Sequence, residues 1–393
     1  WSYAQMTRHY NEYAQAAEVQ LWPCAYLHNY LRSANDPLYD RQWHYDVIDM
    51  EGAWDVTTGS SGVVVAVLDA GILYSMSDPS KRHPDLAGRV LPGYDFIFDP
   101  DYAGDGDGRD DDPYDPLPAG QFHGTHVAGT IGAASNNGVG VAGVDWNAKI
   151  LPIRVLGNGG GPLADILDGL LWAVGSSVAG APINTNPADV INLSLGAPGG
   201  CLASWQSTLD FVSVSAVVVA AAGNSNQNAS GFAPAGCAGV ITVGATDRAS
   251  ERSWFSNYGS RIDVMAPGGD LDEDLDDDGF PDGVLSLGYV SNFTYTFLQG
   301  TSMAAPHVSG IVALMKALDP TVDTARALEA LRASATPLTD SACDGQGAGR
   351  DLVSIDCGAG IIDAAIALGF IDTGVIPDPP GAYLRFRPSA LEF

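Results

Sequence analysis

Val63-Val64-Val65-Ala66-Val67-Leu68 is an unbroken apolar run in which four of the six residues are β-branched. A strand without polar alternation must be covered on both faces, as in the middle of a parallel sheet. The run ends in Asp69-Ala70-Gly71. Further strand candidates lie at 149–156, 189–195, 216–222, 240–243 and 262–265, with helical patterns at 124–134, 163–178 and 202–213. Strands alternating with helices predict an α/β fold, a doubly wound and mostly parallel sheet flanked by helices on both faces. Reactive groups in such sheets gather beyond the carboxyl ends of the strands, where both Asp69 and Asn224 fall.

The stretch Gly300-Thr301-Ser302-Met303-Ala304-Ala305-Pro306-His307 follows an apolar-aromatic run at 290–298. It opens a helical pattern carried by Val308, Ile311, Val312, Met315 and Leu318, so Ser302 is expected at a helix N-terminus. Free N–H groups and the positive end of the helix dipole stabilise negative charge there. Gly300, Ala304 and Ala305 permit close approach, and Pro306 is expected near the first turn, where its missing N–H costs little. The purely structural alternative is an ordinary serine cap.

Lys and Arg number 18 against 47 Asp and Glu, a net charge of −29. That balance disfavours nucleic acid or an anionic membrane as a partner, and no apolar run reaches the roughly 20 residues that span a bilayer. It suits cation sites and a saline setting. The five cysteines are Cys24, Cys201, Cys237, Cys343 and Cys357. They lack zinc-site spacing, so disulfides in an oxidising compartment are expected, with one thiol left over. The chain starts at Trp1 without a signal-peptide pattern, as expected of a processed or trimmed chain. Residues 1–34 carry a helical pattern at 6–17 and a strand-like tail at 18–31, and Asn35-Asp36-Pro37 marks a turn at the boundary. This segment reads equally as the tail of a pro-segment or as an extension packed on the domain.

His123-Gly124-Thr125-His126-Val127-Ala128-Gly129 reads as a helix start built of small residues. His123 can face a cleft from that position. His126 is expected to make internal hydrogen bonds, and a metal role for the two lacks a third ligand. The chain thus holds a carboxylate, an imidazole and a hydroxyl in the order Asp69, His123, Ser302. A serine hydroxyl becomes nucleophilic when a base takes its proton, and the base needs a carboxylate to fix its tautomer. Ala220-Ala221-Ala222-Gly223-Asn224 adds an amide at a strand end that can donate to an oxyanion.

Taken together, Leu68-Asp69-Ala70-Gly71, the 123–129 stretch and the 300–307 stretch resemble the subtilisin-like serine proteases, over about 43–370 of the chain. The resemblance implies Asp69 as orienting acid, His123 as general base and Ser302 as nucleophile. It pairs Asn224 with the Ser302 N–H as an oxyanion hole. Ala70 departs from the Ser or Thr usual in the family after the acid, which softens positioning without abolishing activity. A peptidase domain over 35–370 is implied, followed at 371–393 by a Pro-rich linker and the start of a truncated module. Substrate would bind as an extended strand. Ser194-Leu195-Gly196 would line one side of the main pocket and Gly159-Gly160-Gly161 the opposite edge. Ala222 and Gly223 would form another wall, and Phe232 would make the base shallow. No charge falls there, so a broad or apolar preference is expected before the scissile bond.

A Cys201–Cys237 bridge would tie two substrate-side loops, and Cys343–Cys357 would close a polar loop, leaving Cys24 in the segment expected to be removed. Structural calcium is expected at one to three sites. Asp274-x-Asp276-x-Asp278-Gly279-x-x-Asp282 follows the calcium-loop template but has Leu285 where the closing Glu belongs. Asp105 and Asp107 crowd a second acidic loop, whose alternative is a solvated surface. Asp85 with Asn137 and nearby carbonyls is a third site, implied by the resemblance. The expected protein is a secreted, monomeric serine endopeptidase acting on polypeptides, with its own pro-segment as a partner. An esterase of the α/β-hydrolase kind would show Gly-x-Ser-x-Gly and the order Ser, Asp, His, and this chain does not. A catalytically inactive, acidic calcium-binding module of the same fold is the remaining alternative.

Overall fold

The computed structural model describes residues 32–116, 122–290, 292–338, 343 and 357–375. The chain divides into two units at Arg32–Ser33, and the architecture below is that of the second. The expectations for residues 1–31, for Cys24 and for the module after 375 lie outside the described residues.

The strands are β1 (Val64–Asp69), β2 (Tyr94–Asp95), β3 (Lys149–Arg154), β4 (Val190–Leu193), β5 (Ala197–Pro198), β6 (Val217–Ala221), β7 (Phe232–Ala233), β8 (Val240–Thr246), β9 (Val264–Pro267), β10 (Val284–Tyr289) and β11 (Phe293–Leu298). The helices are α1 (Trp43–Val47), α2 (Met50–Val56), α3 (Pro100–Ala103), α4 (His123–Gly132), α5 (Leu163–Ala173), α6 (Ala203–Val212), α7 (Thr301–Leu318), α8 (Thr324–Ser334) and α9 (Ala364–Thr373). Seven strands form one sheet in the order β2-β3-β1-β4-β6-β8-β9. Every neighbouring pair in it is parallel. After β1 the chain goes to the edge strand β2, returns inward through β3 beside β1, then crosses to β4 and continues outward on the other side. The switch point therefore lies between β1 and β4, where parallel sheets open a crevice at their carboxyl ends.

Side chains alternate across a strand, and the apolar run is used on both faces. Val65 and Val67 enter a core shared with Val127 and Ile131 of α4 and with Ile311 and Leu314 of α7. Ala66 and Leu68 enter a second core with Ile166 and Leu170 of α5 and Trp205 and Leu209 of α6. Such double burial is what removes the polar alternation from the sequence. The 163–178 pattern stops earlier than expected, at Ala173, because Gly175 turns the chain at φ +83° and its N–H bonds the Trp172 carbonyl. The aromatic run before Gly300 is β11, paired antiparallel with β10 as a hairpin outside the main sheet. Pro306 lies inside α7 rather than at its first turn. Cys201 is bonded to Cys237 and Cys343 to Cys357.

Candidate active site

β1 delivers Asp69 to the mouth of the crevice, with its side chain buried. The Ala70 N–H donates to Asp69 Oδ1 at 2.7 Å. α4 begins at His123, whose Nδ1 donates to Asp69 Oδ1 at 2.8 Å and lies 3.0 Å from Oδ2. The helix start can come this close because residue 124 is glycine: a Cβ there would stand 2.3 Å from the Gly71 carbonyl oxygen and 2.9 Å from Asp69 Cβ. Burial alone would lower the His123 pKa. The charge and hydrogen bond of Asp69, with the charge of Asp115 behind them, outweigh it and raise the imidazole above its ordinary value. With Nδ1 committed to Asp69, the neutral ring keeps Nε2 as its proton acceptor. His126 is buried and turned inward, its Nε2 donating to the Val284 and Thr296 carbonyls at 3.0 and 3.2 Å.

Ser302 is the second residue of α7. Its hydroxyl donates to the Ser194 carbonyl at 3.2 Å and makes no hydrogen bond to His123 in this arrangement. Asn224 follows β6 and is anchored by its oxygen. The N–H and the hydroxyl of Thr301 both donate to Asn224 Oδ1 at 2.8 Å, and Thr301 Oγ1 accepts the Gly223 N–H at 3.0 Å. The donor end of the Asn224 amide is thereby left for the cleft. Gly300 has φ +148°, and a Cβ on it would lie 3.3 Å from Asn224 Nδ2 and 3.5 Å from the Ser302 nitrogen. Glycine at 300 keeps the space between these two donors open. Asn257, fully buried, holds the turn after β6: its Oδ1 accepts from the N–H groups of Ser225 and Gln227, and its Nδ2 donates to the Ala222 carbonyl. Neither Thr301 nor Asn257 was singled out from the sequence. Their only signal there was position, Thr301 beside Ser302 and Asn257 in a polar loop.

A cleft of about 250 Å³ opens beside Ser302 and Asn224, walled by Ser194, Leu195, Gly196, Gly223 and Phe232. Ala221 lines it instead of Ala222, which is fully buried with its N–H on the Val243 carbonyl. Phe232 is held by pairing between β5 and β7, next to the Cys201–Cys237 bridge. Gly159, Gly160 and Gly161 do not line this cleft. They belong to a turn closed by hydrogen bonds between Gly157 and Gly160, with open space beside Gly159 and Gly160.

The acidic candidates separate into three environments. Among the described residues, Asp274, Asp276 and Asp278 converge, with one oxygen of each within 4.8 Å of the others. Asp282 does not join them: it is buried and bonded to Arg248, which also pairs with Asp276. Asp105 is drawn to the buried Arg154, which also bonds Asp95, and the Asp107 N–H points back to Asp105. Asp85 is fully buried and takes hydrogen bonds from Asn137 Nδ2 and the Val141 N–H. Asp36, also buried, accepts from the N–H groups of Asn136 and Asn137 of the same loop. Burial pushes both carboxyls up, Asp85 to about 6. Asn137 turns its Nδ2 to Asp85 while its Oδ1 accepts from the Val139 N–H. Among the described residues no cationic side chain bonds either buried carboxylate, and such a pair suits charge compensation by a hard cation such as Ca²⁺.

A buried aspartate bonded to a half-exposed histidine, a serine on a helix N-terminus and an oriented amide, gathered at the carboxyl ends of a doubly wound sheet, are the parts that serine hydrolase chemistry requires. Residues 60–351 match the model of the subtilase family, and the chain belongs to that family. It is 41% identical over 353 residues to an extracellular protease of Xanthomonas campestris pv. campestris, covering 85% of this chain and 56% of that protein. It is 44% identical over 303 residues to an extracellular basic protease of Dichelobacter nodosus, covering 72% and 48% respectively. The chain thus spans about half the length of these relatives. A solved structure of proteases from Pseudoalteromonas arctica superposes with a TM-score of 0.75 at 43% identity, covering 86% of this chain and all of that one.

Proposed function

We propose that this chain is a secreted serine endopeptidase. The observation that carries the reading is the Asp69–His123 hydrogen bond beside a serine whose neighbouring amide donors are kept open by Gly300. In the proposed reaction the Ser302 hydroxyl leaves the Ser194 carbonyl and turns to His123 Nε2. That nitrogen takes its proton as Oγ attacks a peptide carbonyl. The oxyanion sits between Asn224 Nδ2 and the Ser302 N–H, where removal of one donor costs on the order of 100- to 1,000-fold. His123 then hands the proton to the departing amine, leaving an ester on Ser302. Water, deprotonated by the same nitrogen, attacks the ester carbonyl, and the imidazolium returns the proton to Oγ as the acid leaves.

The cleft wall is uncharged and closed by Phe232, which supports a broad or apolar preference at the residue before the cut. Calcium is assigned a structural role, held by Asp36 and Asp85 with Asn137, and by the Asp274, Asp276 and Asp278 cluster. There it supplies charge compensation and no chemistry. An inactive calcium-binding module would have no need for an oriented amide or for glycine at 300. The test is labelling of the folded, calcium-loaded protein by a fluorophosphonate, with the modified peptide identified by mass spectrometry. Modification at Ser302, lost in Ser302→Ala, supports the reading. Failure to label sinks it and leaves the inactive module.

A further inference from the structure

Proline at 306 removes the N–H that would otherwise bond the carbonyl of residue 302 one turn earlier. α7 therefore has a missing rung directly at the nucleophile. The Ser302 carbonyl is not left unpaired: Ser194 Oγ donates to it at 2.8 Å. The reciprocal bond, from Ser302 Oγ to the Ser194 carbonyl, makes a two-point clamp between the end of β4 and the start of α7. Ser194 Oγ is in turn fixed by Asn192 Nδ2 at 3.0 Å, and Asn192 Oδ1 accepts from Ser309 Oγ at 2.8 Å. Asn192 and Ser309 are fully buried and Ser194 nearly so. Ser309 lies on α7 itself, two turns beyond Ser302. The relay thus leaves the helix at Ser309, passes through β4 and rejoins the helix at Ser302, bridging the gap at Pro306.

We infer that Ser194 is a positioning residue for Ser302, held in place by the buried Asn192–Ser309 relay. This rests on the protease reading given above. Uncompensated buried polar groups are costly, so a chain of three side chains across a sheet and a helix holds one geometry. Its end point is the backbone of the residue whose Oγ attacks and whose N–H lines the oxyanion hole. Loss of the Ser194 hydroxyl frees the Ser302 carbonyl and lets the nucleophile drift, while the backbone of Ser194 still walls the cleft. The effect falls on kcat and leaves KM unchanged.

The experiment compares wild type, Ser194→Ala, Ser194→Thr, Ser309→Ala and the double Ser194→Ala/Ser309→Ala. It reads kcat and KM on a chromogenic peptide, the fluorophosphonate labelling rate, and amide exchange of the peptide containing residues 302–309. Ser194→Ala is expected to lose about tenfold in kcat and in labelling rate at constant KM, the size of one lost neutral hydrogen bond. Ser194→Thr restores it. Ser309→Ala loses less, and the double variant loses no more than Ser194→Ala alone, because both changes break one relay. Unchanged kcat in Ser194→Ala, a rise in KM alone, or fully additive losses would overturn the inference. If wild type is neither active nor labelled, the protease reading falls, and exchange decides the relay. Faster exchange at the start of α7 in Ser309→Ala supports it, and unchanged exchange overturns it.

Discussion

Replacing Gly300 by alanine places a methyl group where the oxyanion has to sit. The added Cβ would stand 3.3 Å from Asn224 Nδ2 and 3.5 Å from the Ser302 nitrogen, so it intrudes on both donors at once. One donor is worth about 2.7–4 kcal/mol of transition-state stabilisation. Even a partial displacement from the pair should lower kcat by at least about 1,000-fold. The backbone adds a second, separable cost. At φ +148° an alanine is strained by about 1–3 kcal/mol, which lowers Tm by several degrees without unfolding the protein at 25 °C. Steady-state hydrolysis of a peptide anilide, fluorophosphonate labelling and thermal melting separate the two costs. Asn224→Ala serves as the reference, with a loss of about 100- to 1,000-fold. Because both substitutions disable one feature, Gly300→Ala/Asn224→Ala should be hardly slower than Gly300→Ala. A folded Gly300→Ala protein within about tenfold of wild-type kcat would refute the assignment of this space to the oxyanion.

Activity should rise with pH through a His123 pKa above the ordinary value near 6.5, and Asp69→Asn should move that limb to lower pH as well as cutting kcat. The stability contribution has the opposite sign: the raised pKa favours the fold below about pH 6.5, and the benefit is lost as pH rises through the folded value, measurable by melts of His123→Ala against wild type. Chelated protein should lose stability from about pH 4 to about pH 6, where Asp85 ionises in the unfolded chain before it does in the folded one, and the raised Asp36 carboxyl adds a loss of the same sign. Calcium should reverse that slope, raising Tm more at pH 7 than at pH 5, and Asp85→Asn should weaken both effects; a Tm insensitive to chelator at pH 7 would count against the site. Asn257→Ala strips the fixed partner from the Ser225 and Gln227 N–H groups, so it should cost about 2–3 kcal/mol in urea unfolding and lower kcat through a loosened Asn224.

What the sequence made legible is what is local or periodic. The 63–68 run announces a doubly covered strand because both of its faces enter cores. The small residues around His123 and Ser302 announce close approach because Gly124 and Gly300 have no room, or no permission, for a Cβ. Charge was read as composition, and there the sequence misleads. Asp282 and Asp105 sit in acidic runs suggestive of a metal, yet each is claimed by an arginine far away in the chain, Arg248 and Arg154. A run of carboxylates shows their number and not their partners. Asp36 reads in the sequence only as part of a turn, because its bonds reach Asn136 and Asn137 about one hundred residues on.

The same limit divides the proposed site into residues that would react and residues that aim them. Asp69, His123, Ser302 and Asn224 stand in recognisable stretches. Thr301, Asn257 and Ser309 act through bonds to segments distant in sequence: Thr301 on Asn224, Asn257 on the turn after Gly223, and Ser309 on Asn192, which passes the contact to its near neighbour Ser194. Each is a small polar side chain of a kind found in any loop or helix. Their removal would leave the reacting residues untouched in the sequence, while the amide that meets the oxyanion and the carbonyl behind the nucleophile lost their anchors. An inactive relative of this fold could therefore keep all four reacting residues, and the choice between enzyme and relic rests on whether these buried anchors are intact. Here all of them are bonded, to neighbours that fix a donor or the nucleophile itself, and that is the physical ground for reading this chain as active.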